Sequence, residues 1–256
     1  MRLPELLAIS LLHGPAELLP ISSSAHVGLL LRDLDPEERK ELEVAVHAGT
    51  LLALGLPRPR AWLVTATLPA AIAGALLERR IERLGPRTTA AGLLTGALAM
   101  TLADRAPVKQ KGTVPPHFRG GVRPLPTISG EGSDPSPVLG MVVGLAQAVA
   151  LVPGVSRHGA ALTVLRAVGF SRVEAHALSR EASKPVLLGA VVLKGWRVAR
   201  RRGAVAPLAV AAGGSFVSTR VALRFVGAPP LWPFALYRAA LAGSVLRMDR
   251  RSARRV

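Results

Sequence analysis

Two short stretches set groups able to do chemistry inside otherwise apolar sequence. Residues 13–26, HGPAELLPISSSAH, hold two histidines, a glutamate, three consecutive serines and two prolines. Residues 152–163, VPGVSRHGAALT, hold a serine, an arginine and a histidine directly after a Pro-Gly pair. A polar group buried in such surroundings costs free energy unless it has a partner, so the types must be explained together. Pro153 and Gly154 stop a helix, and a helix opening after them presents backbone N–H groups that suit a phosphate, with Ser156 able to donate as well. Arg157 adds a planar fork that matches phosphate oxygens bidentately. In lipid this arginine costs about 2.5–3.5 kcal/mol unless it faces a cavity or partner, so it implies an anionic ligand or a buried carboxylate. Ser22, Ser23 and Ser24 offer hydroxyls, and His26 offers an acid or base that ordinarily titrates near neutrality. Serine beside histidine is one arrangement for a nucleophile and its base. His13 and Glu17 share a helix face if their segment is helical, and carboxylate and imidazole converging on phosphate hold a divalent cation or shuttle a proton.

Each feature also has a purely structural explanation. Serine runs pack and hydrogen-bond between membrane helices, and Glu17 with Arg157 can form a structural ion pair between the two segments. The coincidence of carboxylate, hydroxyls, imidazole and guanidinium at two broken segments favours one shared site.

The elements that must position these groups are apolar helices. The chain is 50% hydrophobic, lacks cysteine, carries a formal net charge of +17 and has only 4% aromatic residues; its mean hydropathy is +0.36. No disulfide or thiol chemistry is available to it. The uncharged run 135–156 is close to the ~20 residues that cross ~30 Å of hydrocarbon as a helix. Shorter apolar runs recur at 3–31, 42–57, 61–77, 88–103, 173–195, 203–223 and 231–246. The expected fold is all-α, a polytopic membrane protein with broken or re-entrant helices, because Pro and Arg inside such runs are tolerated only beside protein or a cavity. The N-terminal run lacks a small-residue cleavage site and reads as part of the mature protein.

Basic residues cluster at 58–60, 79–87, 105–123, 197–202 and 247–255, between or after the apolar runs. That placement suits lipid headgroups and membrane lipids as partners, with the tail RMDRRSARRV on the cytoplasmic side. Nucleic acid is not an expected partner despite a calculated pI of about 11.8, since no binding motif and few stacking aromatics are present. The whole chain, 1–256, reads as one integral membrane domain. Residues 104–136 form a basic Pro/Gly-rich loop between a first repeat half, 1–103, and a second, 137–256, which ends in the basic tail. Broken segments at corresponding positions of the halves point to two inverted repeats with a site at their interface.

GPAELLPISSSAH with LVPGVSRHGAALT resembles the two signature regions of the undecaprenyl-diphosphatase family, the bacterial membrane enzymes associated with bacitracin resistance. EVAVHAGTLLAL, 43–54, and WPFALYRAALAG, 232–243, are also similar to that family, and the four matches occur in order. The resemblance implies a multi-pass cell-membrane enzyme that removes the terminal phosphate of undecaprenyl diphosphate, recycling the carrier lipid for peptidoglycan and other envelope polymers. It implies catalytic roles for Glu17, Ser23, His26 and Arg157; from the make-up of the two segments, Ser22, Ser24, Gly154, Ser156, Arg157 and His158 are the expected substrate contacts. It further implies a magnesium or calcium ion and a site facing the outer side. A polyprenyl-phosphate translocase of the same architecture, without hydrolysis, is the rival. A homo-oligomer is compatible with the sequence.

Departures from the family pattern gather around histidine. His13 replaces the family's first acidic residue, Ala25 the glycine before the motif histidine, and His158 the serine after the motif arginine, while His47 stands where glutamine is usual. Losing a carboxylate weakens the site for hard cations, and imidazole favours zinc or manganese, so Glu17 and His13 are the expected metal ligands. Arg180, Glu181 and Lys184 intrude on a stretch that is apolar in the family. Glu181 and Lys184 can pair on a helix face, or the three line the substrate cavity, or that stretch lies near the headgroups.

Overall fold

The computed structural model describes residues 3–31, 34–81, 83–108, 135–200 and 205–253. Most of the 104–136 loop and the end of the basic tail lie outside the described residues. Among those described, the chain is all-α, with five helices before residues 109–134 and five after. The first set is α1 (Leu3–Leu18), α2 (Ser23–Leu30), α3 (Pro36–Leu54), α4 (Ala61–Ile81) and α5 (Pro86–Asp104). The second is α6 (Pro137–Val149), α7 (Arg157–Val168), α8 (Arg172–Arg200), α9 (Val205–Phe225) and α10 (Trp232–Ala253).

Local chemistry explains where these helices begin. Asp35 caps α3 by accepting from Glu37 N at 2.9 Å and Glu38 N at 3.4 Å, with Pro36 at the first helical position and Glu37 and Glu38 in the first turn. Ser136 caps α6 in the same manner, again followed by proline. The run 135–156, long enough to cross as one helix, does not do so. Its helix α6 stops at Val149, and the chain turns through Pro153 and Gly154 before Ser156 caps α7 by accepting from Gly159 N at 3.1 Å. Gly154 has φ +90°, and a Cβ there would lie 2.0 Å from Thr89 O on α5, so both its conformation and its packing require glycine.

Packing exchanges helices between the two sets. One core cluster gathers Trp62, Leu63 and Ala66 of α4 with Val143 of α6, Leu162 and Leu165 of α7 and Leu178 of α8. Another gathers Leu6 and Ile9 of α1, Val27 of α2 and Val46 of α3 with Ala211 of α9. A third joins Ala25 of α2 to Leu93 of α5 and Val245 of α10. Thus α4 leaves its own set to pack on α6 and α8, while α9 packs on α1 and α3.

The outer surface is apolar in stripes. Val64, Leu68, Ile72 and Leu76 recur every fourth residue on α4, as do Leu94, Leu98 and Leu102 on α5 and Val217, Val221 and Phe225 on α9, all exposed. By length and composition α9 (Val205–Phe225) can cross a membrane, whereas Ala61–Leu77 and Pro137–Val149 are shorter apolar helices.

Candidate active site

The two broken segments meet. Between α1 and α2 the helix is broken over residues 19–22, and Ser22 is held at φ 69° and ψ 85°, a left-handed conformation that a serine adopts only at a cost of about 1–3 kcal/mol. That turn directs Ser23 back toward the end of α1. Ser23 Oγ donates a short hydrogen bond to Glu17 Oε1, so the hydroxyl's partner is the carboxylate and not His26. His26 turns the other way. Its Nδ1 donates to Ser22 O at 2.8 Å, which leaves Nε2 to accept from the Tyr237 hydroxyl at 2.5 Å, with the two rings nearly parallel. Ser22 Oγ lies 3.2 Å from Ser24 Oγ; Ser22 is buried and Ser24 exposed.

His13 and Glu17 share a face of α1, as their spacing predicts, with His13 Nε2 3.8 Å from Glu17 Oε1. From α3, His47 brings its Nε2 to 3.5 Å from the same oxygen. The rings of His13 and His47 stand edge to face with centroids 4.7 Å apart.

Arg157 comes from the second segment as the first residue of α7. Its charge acts on both Glu17 and His13, yet among the described residues no ion pair within 4 Å joins it to Glu17. Its Nη1 is buried with no hydrogen-bond partner. A guanidinium nitrogen left in this condition is costly by itself and fits an anionic oxygen. Ser156 Oγ accepts from Gly159 N in the α7 cap, which leaves its O–H to donate, and Gly154 gives its carbonyl to Arg238. His158 points into the helix pair behind the segment, its Nδ1 2.8 Å from Ser179 Oγ and its Nε2 3.3 Å from His176 Nδ1 on α8. Glu181 and Lys184 pair at 2.6 Å, as three-residue spacing allows, while Arg180 is buried beside them.

A family model described as bacitracin resistance protein BacA matches residues 58–244, and the match takes in the second broken segment.

The chain belongs to the BacA family.

It is 33% identical over 274 residues to an undecaprenyl-diphosphatase of Geobacter sulfurreducens, covering 93% of this chain and 95% of that one. The undecaprenyl-diphosphatase of Trichlorobacter lovleyi is 32% identical over 278 residues, covering 94% of each chain. That of Ruegeria pomeroyi is 33% identical over 282 residues, covering 94% of this chain and 96% of its own. The family model begins after the first broken segment, but these relatives align over more than nine-tenths of the chain.

Within this BacA-family chain the residue that joins the two segments is Arg238, which sequence reasoning left unassigned. Only 1% exposed, it donates from Nη1 to Pro20 O at 3.2 Å and from Nη2 to Gly154 O at 2.9 Å. It also donates to Leu93 O at 3.2 Å and Gly92 O at 3.0 Å on α5. One guanidinium thus ties both breaks to one helix. An arginine inside the apolar run 231–246 was the available signal, but its partners lie 84 to 218 residues away. Tyr237, its neighbour, was missed for the same reason.

Proposed function

We propose that this chain is a multi-pass cell-membrane phosphatase that hydrolyses undecaprenyl diphosphate to undecaprenyl phosphate and inorganic phosphate, returning the carrier lipid to cell-wall synthesis. The names of its relatives support the substrate. The observation that carries the reading is the buried, unpartnered Nη1 of Arg157, whose charge acts on the Glu17 carboxylate to which the Ser23 hydroxyl is already bonded.

The exposed stripes on α4, α5 and α9 support contact with lipid chains. An inverted repeat of two five-helix halves is supported by the paired contacts: α4 on α6 answers α9 on α1, and α8 on α4 answers α3 on α9. Tyr237 and Arg238 lie near the start of α10, about 18 Å along the helix from Arg250 in its basic end. With that basic end on the cytoplasmic side, the site falls in the outer half of the membrane.

The chemistry follows from the contacts. Arg157 neutralises charge on the terminal phosphoryl oxygens and holds them in line. Ser23 is the nucleophile the geometry supports, since its proton already points at Glu17 Oε1. Glu17 takes that proton as the new bond to phosphorus forms and the bridging oxygen leaves on the lipid phosphate. Glu17 passes that proton to the departing lipid phosphate and, a carboxylate again, takes one from the water that attacks the seryl phosphate. The phosphorus–Oγ bond breaks, Ser23 regains the proton from Glu17 and inorganic phosphate leaves, while His26, held between Ser22 O and Tyr237, fixes the serine turn. A divalent cation, when bound, would supply further charge neutralisation, and Glu17 and His13 are the residues of the first segment that would hold it.

Phosphate release from undecaprenyl diphosphate by the detergent-purified protein tests the proposal, with Arg157→Ala as control. Release abolished by the substitution is expected. Lipid phosphate bound but never cleaved would point instead to a translocase.

A further inference from the structure

The buried network behind His13 fixes which of its nitrogens bears a proton. Ser215 Oγ donates to Val46 O at 2.8 Å, so toward Thr50 Oγ1, 2.9 Å away, it can only accept. Thr50 therefore spends its proton on Ser215, and its oxygen accepts from His13 Nδ1, 3.3 Å away. The chain of donors runs His13 to Thr50 to Ser215 to the α3 backbone. His13 Nδ1 carries the hydrogen and Nε2 carries the lone pair.

That lone pair faces the Glu17 carboxylate at 3.8 Å, and His47 Nε2 faces the same oxygen at 3.5 Å. An acceptor nitrogen opposed to a carboxylate oxygen in a buried site is unfavourable unless a cation lies between them. The ligand atoms of His13, Glu17 and His47 all fall within 4.8 Å of one another. Tetrahedral coordination with bonds of about 2.0–2.2 Å separates ligand atoms by about 3.3–3.6 Å, close to two of these distances. Octahedral magnesium, at about 2.0–2.1 Å, calls for about 2.9 Å and for oxygen donors.

We infer that His13, Glu17 and His47 form a two-imidazole, one-carboxylate site that selects a borderline transition-metal ion, zinc foremost, over magnesium and calcium, with Thr50 setting the His13 tautomer. The inference rests on the proposed phosphatase site and adds His47 and Thr50 to it. Two nitrogen donors and one oxygen match the preference of zinc and similar borderline ions, not of hard cations such as magnesium and calcium. A hydrogen bond to the far nitrogen of a ligating histidine orients the ring and raises its basicity, which is the part Thr50 plays.

The test is metal binding, read without turnover. The full-length protein in detergent is stripped with chelator and titrated calorimetrically with zinc, manganese, magnesium and calcium in turn. Cobalt is then added and its visible absorption recorded. The expected result is one zinc per chain, bound at least about 100-fold more tightly than magnesium, with intense cobalt bands of a low-coordinate nitrogen and oxygen site. His47→Ala, at a partly exposed position, should weaken zinc by about 100-fold or more, and the shape-conserving Thr50→Val by about 10–100-fold. Equal affinity for zinc and magnesium, or zinc binding untouched by both substitutions, would overturn the inference. Because neither readout needs phosphate release, failure here leaves the hydrolysis test standing, and failure there leaves the metal result standing.

Discussion

Replacing Arg238 should loosen both halves of the site at once. Its guanidinium makes four hydrogen bonds to main-chain carbonyls, two of them in the non-helical breaks at Pro20 and Gly154, where no helical N–H supplies the carbonyl. Charged hydrogen bonds contribute about 1.5–3 kcal/mol each, but they share one side chain and do not add. Removing the guanidinium leaves the carbonyls of the two breaks buried without a partner, at about 1–3 kcal/mol each, and a total of about 2–6 kcal/mol lowers the unfolding midpoint of a chain of this size by about 4–24 °C. Arg238→Ala should fall in that range and lose most phosphate release. Arg238→Lys keeps the charge but not the planar fork, so it should recover less than half of either. Gly96→Ala offers an independent approach, because its Cβ would stand 2.2 Å from Arg238 Nη2 and push the guanidinium away without altering it. Thermal unfolding followed by tryptophan fluorescence, with phosphate release on the same samples, measures all three. A midpoint within 2 °C of the parent, roughly the resolution of such scans and under 1 kcal/mol here, together with unchanged turnover in Arg238→Ala, would refute the clamp.

Glu17→Gln and Ser23→Ala should each lower kcat by about 100-fold or more, since one removes the proton acceptor and the other the hydroxyl it accepts from. Steady-state kinetics on protein of verified fold would show this, and a loss confined to KM would contradict it. Gly154→Ala should cost about 2–5 kcal/mol, from the positive φ and the contact with Thr89 O, and appears as a lowered midpoint in the same unfolding assay. Asp104→Asn should mainly weaken the end of α5, because its carboxylate accepts from Arg172 at 2.8 and 3.0 Å and from Leu231 N at 3.1 Å. Hydrogen exchange at Leu231 should then rise while zinc binding stays unchanged.

The helices and the two breaks were legible because their causes are local. Proline at helix starts, serine and aspartate caps, and the Pro153–Gly154 pair all act within a few residues. The same locality explains the pairing of Glu181 with Lys184 and the shared helix face of His13 and Glu17. What sequence could not supply was partnership at a distance. Ser23 and His26 look like a nucleophile and base when read three residues apart, yet the left-handed backbone at Ser22 turns them toward different partners. Arg238 reads as a lone charge in an apolar run until the fold brings carbonyls from both breaks to it. His47 was visible as an unusual histidine, but only the approach of α3 to α1 gives it Glu17 as a neighbour.

The central claim is that the two broken segments form one catalytic site, and a double-mutant cycle on kcat/KM tests it most directly. The four proteins are the parent, Glu17→Gln, Arg157→Lys and the pair, assayed on undecaprenyl diphosphate. Residues acting on one transition state are strongly non-additive, so the pair should be little worse than the more damaging single change. Losses that simply multiply would mean that Glu17 and Arg157 serve separate sites, and the account would fall.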